Sequence, residues 1–172
     1  MTVDKIYLVG FMAAGKTTVA RALASRLHWQ AEDVDELIEA RERKTVTDIF
    51  VRQGEPYFRS IEREILALLL PLRHVVVATG GGTFADPENR AAINRDGVSV
   101  WLDVPFEEVL ARTPADGRRP LAADRAQMER LFLLRRVAYT QAHLRLDASG
   151  ASAEELADRV LEGIRSLENR RL

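Results

Sequence analysis

Short apolar runs alternate along this chain with longer stretches of helical period. Residues 6–9, 31–34, 75–79, 98–102 and 143–146 read as β-strands, and three of these are nearly unbroken apolar runs, as strands covered on both faces should be. Between them the apolar positions recur at three- and four-residue spacing, which predicts helices over 16–27, 34–43, 46–53, 55–70, 87–94, 106–112, 125–139 and 153–167. Two helix starts carry local signals: Pro105 stands just before Phe106-Glu-Glu, and Ser152 just before Ala-Glu-Glu. In the helix over 55–70, Phe58, Ile61, Ile65 and Leu68 form the predicted core stripe. The alternation predicts an α/β fold, a parallel sheet with helices on its faces. One stretch reads as no element. Residues 113–124, with Pro, Gly and the pair Arg118-Arg119, predict a loop of the length that serves as a lid over a site.

Composition narrows the function classes. At 172 residues and 47% hydrophobic, the chain is the size of one globular domain, and disorder, collagen-like repeats and a disulfide scaffold are excluded. With 25 Lys and Arg against 26 Asp and Glu, there is no chain-wide basic field of the kind that binds nucleic acid, so any anion must be held locally. The absence of Cys excludes disulfides and Cys-ligated zinc or iron–sulfur centres. His28, His74 and His143 lack any paired-ligand spacing. The longest apolar run, 65–72, is broken by Pro71 and falls short of the roughly 20 residues of a membrane span. The first residues, Met1-Thr-Val-Asp-Lys5, resemble no export signal. A cytoplasmic protein without nucleic-acid or membrane partners is expected, with monomer as the default.

The sharpest motif is Gly10-Phe-Met-Ala-Ala-Gly15-Lys16-Thr17, which fits G-x-x-x-x-G-K-[ST] directly between a strand and a helix. In such a loop successive backbone N–H groups and the helix N-terminus point at phosphate oxygens. Gly10 and Gly15 permit the close approach, and the cradle takes in Ala13, Ala14, Lys16, Thr17 and Thr18. Lys16 supplies a point charge for β- and γ-phosphates, and the Thr17 hydroxyl is placed to ligate Mg²⁺.

Three further features bear on what receives the phosphoryl group. In an extended segment Asp33 and Asp35 face the same side, so both carboxylates would look into one cleft; alternatively, Asp33 caps a helix with Glu36 three residues on. Arg59 lies three residues before Glu62, which makes either a surface ion pair or a guanidinium held for bidentate capture of a carboxylate. Gly80-Gly81-Gly82 directly follows a strand, at the carboxyl end where ligands of parallel sheets bind, and lets a ligand lie against the backbone.

In this order and at these separations, the motifs resemble those of shikimate kinase, in the nucleoside-monophosphate-kinase-like group of P-loop proteins. The resemblance runs from Ile6 to about Leu146. It is carried by the phosphate loop at 10–17, Asp33-Val-Asp35, Gly54-Glu-Pro-Tyr-Phe58-Arg59-Ser-Ile-Glu62, Gly80–Gly82, Arg119-Pro-Leu121 and Arg135 with Tyr139. It implies a single three-layer α/β/α domain over 1–172 with a five-stranded parallel sheet of order 2-3-1-4-5, an acceptor-binding region near 33–62, and a lid near 113–124. It also implies MgATP-dependent phosphorylation of the shikimate 3-hydroxyl. By that resemblance Lys16 binds phosphate, Thr17 and Asp33 form the magnesium side, and Asp35 contacts the acceptor hydroxyl. Arg59 and Arg135 clamp the carboxylate with help from Gly81 and Gly82, Arg119 reaches the transferred group, and Arg112 stacks on adenine. The chain departs from the pattern at Ala13, Ala122, Val137 and Gln141, and it lacks an arginine in 147–154. Those departures leave open a kinase of another small hydroxy acid such as gluconate, or a nucleotide-binding regulator.

Overall fold

The computed structural model describes residues 2–113 and 125–170. Five strands, β1 (Lys5–Val9), β2 (Gln30–Asp33), β3 (Val75–Ala78), β4 (Val98–Asp103) and β5 (Leu144–Asp147), form one parallel sheet of order β2-β3-β1-β4-β5. The helices are α1 (Lys16–Leu27), α2 (Val34–Glu42), α3 (Val46–Gln53), α4 (Glu55–Leu69), α5 (Pro87–Asp96), α6 (Phe106–Arg112), α7 (Arg125–Tyr139) and α8 (Ala153–Asn169). A short 3₁₀ turn at Thr83–Ala85, not foreseen from the sequence, lies between β3 and α5.

Every residue of β1, β3 and β4 is buried. Successive strand residues point to opposite faces, so unbroken burial means that helices cover both faces, which makes the three layers α/β/α. The outer strands β2 and β5 contain exposed residues, as edges do. The register Tyr7↔Val77 and Tyr7↔Ser99 sets β1 at the centre, so the loop that follows it opens at the middle of the sheet's carboxyl edge.

Local chemistry fixes the helix starts. Asp33 caps α2 by accepting the Glu36 N–H at 3.0 Å, and Ser152 with Glu155 makes a reciprocal capping box at α8. One predicted core position is corrected: Leu68 is 66% exposed, and α4 buries Phe58, Ile61, Glu62, Ile65, Leu66 and Leu69 instead. A period of 3.6 carries a stripe that starts at Phe58 to Leu69, one residue past Leu68.

At the sheet's opposite edge Lys5 is fully buried. Its ammonium donates to the Leu69 and Leu70 carbonyls at 2.6 and 3.0 Å and pairs with Asp96 at 2.7 Å, so it closes the C-terminus of α4 from below. Among the described residues, no helix is long and apolar enough to cross a membrane.

Candidate active site

The phosphate loop turns back over the sheet between β1 and α1. A Cβ at Gly10 would lie 2.8 Å from the Leu102 carbonyl oxygen, and φ there is +146°, so only glycine fits. Ala13 takes a left-handed φ of 59°, Ala14 is buried with its N–H on the Phe11 carbonyl, and Gly15 precedes the first residue of α1. The Lys16 ammonium donates to the Gly10 and Phe11 carbonyls at 2.8 Å each, so the charge sits over the loop. Thr18 is exposed two residues further along α1. The loop backbone, the N-terminus of α1 and Lys16 together form a cationic cradle of the kind that holds polyphosphate.

Thr17 and Asp33 meet beside that cradle: the Thr17 hydroxyl donates to Asp33 Oδ2, while Asp33 Oδ1 caps α2. Capping α2 with one oxygen therefore leaves the other carboxylate oxygen of Asp33 on Thr17 beside the cradle. The period-two argument for Asp35 fails, because β2 ends at Asp33 and Asp35 lies in the first turn of α2. Both carboxylates nonetheless line one cavity of about 540 Å³, because the strand runs into the helix without a loop.

The far wall of that cavity carries two arginines. Arg59, on α4, donates from Nη1 to Glu62 at 2.9 Å and from Nη2 to Glu55 at 3.2 Å. Burial alone would lower its pKa; Glu62 and then Glu55 outweigh that and hold the guanidinium above its ordinary value. Arg135, on α7, is buried and lies 5.7 Å from the Phe11 ring centroid. Its pKa is pushed below the ordinary arginine value, chiefly by burial, with the Arg59 charge acting the same way against Tyr139. Two cations face the same space and one of them is poorly solvated, so the wall favours an incoming carboxylate or phosphate.

The glycine triplet separates these groups. A Cβ on Gly80 would lie 2.9 Å from Asp35 Oδ1, one on Gly81 3.1 Å from Arg135 Nη1, and one on Gly82 2.5 Å from Arg59 Nη1 and Nη2. From the sequence, the bare backbone is expected to receive a ligand. Here it also carries three of the protein's own charged side chains.

Arg112, at the end of α6, donates to the Ala13 carbonyl at 3.4 Å and to Glu108 at 2.9 Å, which sets it over the phosphate loop at the cavity's edge. Lys16, Thr17, Asp33, Asp35, Arg59, Gly81, Gly82, Arg112 and Arg135 thus converge on one end of the sheet. Arg119 and most of the predicted lid lie outside the described residues. Sequence reasoning assigns no role to Glu55 and Tyr139, which it names only within motifs, or to Thr83 and Phe11; the four-residue spacing of Glu55 to Arg59 is a usable signal, whereas the partners of Thr83, Tyr139 and Phe11 are remote in sequence. The chemistry this arrangement suits is transfer of a phosphoryl group from a nucleotide on the loop to a small anionic hydroxy compound on the arginines.

A sheet of order 2-3-1-4-5 with the phosphate loop after its central strand and an acceptor pocket alongside defines a P-loop kinase. A family model, shikimate kinase, matches residues 12–165, and the chain belongs to the shikimate kinase family. The shikimate kinase of Persephonella marina is 40% identical over 161 residues, which cover 93% of this chain and 98% of that protein. Among solved structures, shikimate kinase from Acinetobacter baumannii in complex with shikimate superposes with a TM-score of 0.92 at 37% identity, covering 96% of this chain and 94% of the other. That of Aquifex aeolicus gives 0.87 at 34% identity, covering 95% and 98%.

Proposed function

We propose that this protein transfers the γ-phosphoryl group of ATP to the 3-hydroxyl of shikimate, giving shikimate 3-phosphate and ADP. One observation carries the reading: Thr17 and Asp33 beside the phosphate loop line the same cavity as Asp35, Arg59 and Arg135. The polyphosphate would lie on the amides of the loop, with Lys16 exchanging its carbonyl partners for β- and γ-oxygens. The acceptor's carboxylate would take the Arg59 and Arg135 guanidinium groups, which leaves its hydroxyls toward Asp35. Asp35 then accepts the hydrogen bond of the attacking hydroxyl. Catalysis here is mostly orientation, because two anions must be held facing each other against their repulsion.

The Thr17 hydroxyl and Asp33 carboxylate would hold Mg²⁺. Two hard oxygens, already hydrogen bonded to each other beside the cradle, suit an ion that keeps several waters and binds through one carboxylate and substrate phosphates. When bound, the ion neutralises charge on the phosphates. The reading further takes the chain as one catalytic domain, monomeric and cytoplasmic, with ATP and shikimate as its partners.

The test is ADP release measured over a panel of hydroxy acids. Release stimulated by shikimate is the expected result. Stimulation by gluconate alone would transfer the site to another acceptor, and nucleotide binding without turnover would make the protein a regulator.

A further inference from the structure

The helices that carry the two arginines each meet the short loop of residues 79–83, which leads from β3 into the 3₁₀ turn, at two points. On α4 the Arg59 guanidinium lies against Gly82, and one turn further on Glu62 accepts a 2.8 Å hydrogen bond from Thr83 Oγ1. On α7 the Arg135 guanidinium lies against Gly81, and one turn further on the Tyr139 hydroxyl donates to the Gly81 carbonyl. We propose that Thr83 and Tyr139 are positioning residues that fasten α4 and α7 to this one short loop and so set the gap between the Arg59 and Arg135 guanidinium groups to the width of one acceptor carboxylate.

Neither residue reaches the acceptor. Thr83 and Tyr139 are 0% and 1% exposed, and neither lines the cavity. Their leverage comes from what they hold. Glu62 uses one carboxylate oxygen for Arg59 and the other for Thr83, so the Thr83 hydroxyl fixes the plane of the carboxylate that aims Arg59. Tyr139 shares α7 with Arg135 and packs against Trp101, with ring centroids 5.9 Å apart; its hydroxyl ties that helix to the carbonyl beneath Arg135. A two-point clamp needs its points at a fixed separation, and supporting hydrogen bonds on rigid elements supply it.

The inference rests on the proposed acceptor, and the experiment separates the two. Steady-state ADP release is measured for the full chain and for Thr83→Val, Thr83→Ser and Tyr139→Phe, varying shikimate and ATP in turn. Thr83→Val and Tyr139→Phe each remove one hydroxyl and keep the packing volume. The expected result is a rise in the shikimate KM of about 5- to 20-fold, the size of a weakened charge-assisted contact, with the ATP KM and kcat within about twofold of the parent. Thr83→Ser, which keeps the hydroxyl, should return the shikimate KM to within about threefold. An unchanged shikimate KM, or an equal rise in both KM values, would overturn the proposal even if the melting temperature fell. If Thr83→Val does not fold, Tyr139→Phe decides alone, since its ring packing is intact. A parent enzyme with no shikimate-dependent turnover would overturn the function itself, and the clamp with it.

Discussion

Replacing Gly82 by Ala tests whether the position of Arg59 sets acceptor affinity. Gly82 has φ −100° and ψ −10°, a conformation that any L-residue adopts, so the added methyl brings no backbone strain. Removing a glycine also restricts the unfolded chain, an effect of about 0.4–1 kcal/mol in favour of folding. The methyl would, however, lie 2.5 Å from both terminal nitrogens of Arg59 and 2.7 Å from Cζ, where ordinary contact starts at 3.4 Å. The guanidinium must therefore retreat by about 1 Å, and it cannot do so while keeping its 2.9 Å bond to the buried Glu62. A displacement of that size at a charge-assisted contact costs about 1.5–3 kcal/mol, or about 10- to 150-fold in acceptor binding. Lys16 and the phosphate loop are untouched. Calorimetric titration of shikimate and of an ATP analogue, alongside thermal unfolding, should give a large loss for shikimate and none for nucleotide, with a lower melting temperature because the weakened ion pair leaves the buried Glu62 carboxylate undercompensated. Shikimate affinity equal to that of the parent would refute the reasoning, since it would mean that Arg59 moves without consequence.

Arg59→Ala should weaken shikimate binding by about 1.5–3 kcal/mol or more while sparing ATP, and equal losses in titration would contradict the clamp. Asp35→Asn should keep nucleotide affinity and lower kcat by about 10²- to 10⁴-fold if the carboxylate accepts the hydroxyl proton, whereas near-normal turnover would reduce it to an orienting group. Lys5→Met leaves Asp96 with one cation fewer and the end of α4 uncapped, and it should cost about 3–5 kcal/mol in denaturant unfolding, whereas a loss below about 1 kcal/mol would mean that Lys5 contributes little. Burial raises the Asp86 pKa, but the hydrogen bond from Arg63 and the N–H groups of Asn89 and Glu88 outweigh it, so the folded value lies below the ordinary 3.8. The stabilisation is then complete above pH 3.8 and lost as pH falls through the depressed value, so Asp86→Asn should flatten the acid limb of the stability curve, and an unchanged limb would count against it.

The sequence discloses most of the fold because its strands are so apolar. Ile6–Val9 and Val75–Val77 could hardly be other than strands covered on both sides, and the phosphate loop marks the central one by its own chemistry. Arg59 and Glu62 were legible as a pair through their helical spacing, and the triplet of glycines as a place of close approach. Asp35 is placed beside Asp33 by an argument whose premise does not hold, since it lies on a helix; the two carboxylates still line one cavity because β2 passes straight into α2. The least legible groups are those whose partners are distant along the chain. Thr83 meets Glu62 across 21 residues and Tyr139 meets Gly81 across 58, and no local pattern encodes such contacts. Lys5 stands in a polar N-terminal stretch that gives no hint of complete burial. Leu68 shows the reverse error, a residue that fits a counted spacing and faces solvent because the helical period is not an integer.

The most direct measurement is the identity of the product. After incubation with ATP, Mg²⁺ and shikimate, a ¹H–³¹P correlation NMR spectrum reads which carbinol carries the new phosphate. The proposed function predicts a single phosphomonoester on the 3-hydroxyl, formed in equal amount with ADP. Inorganic phosphate in place of an ester would mean that the phosphate loop and the two arginines do not hold their ligands face to face, and an ester on another hydroxyl would contradict the proposed orientation of the acceptor on the arginines.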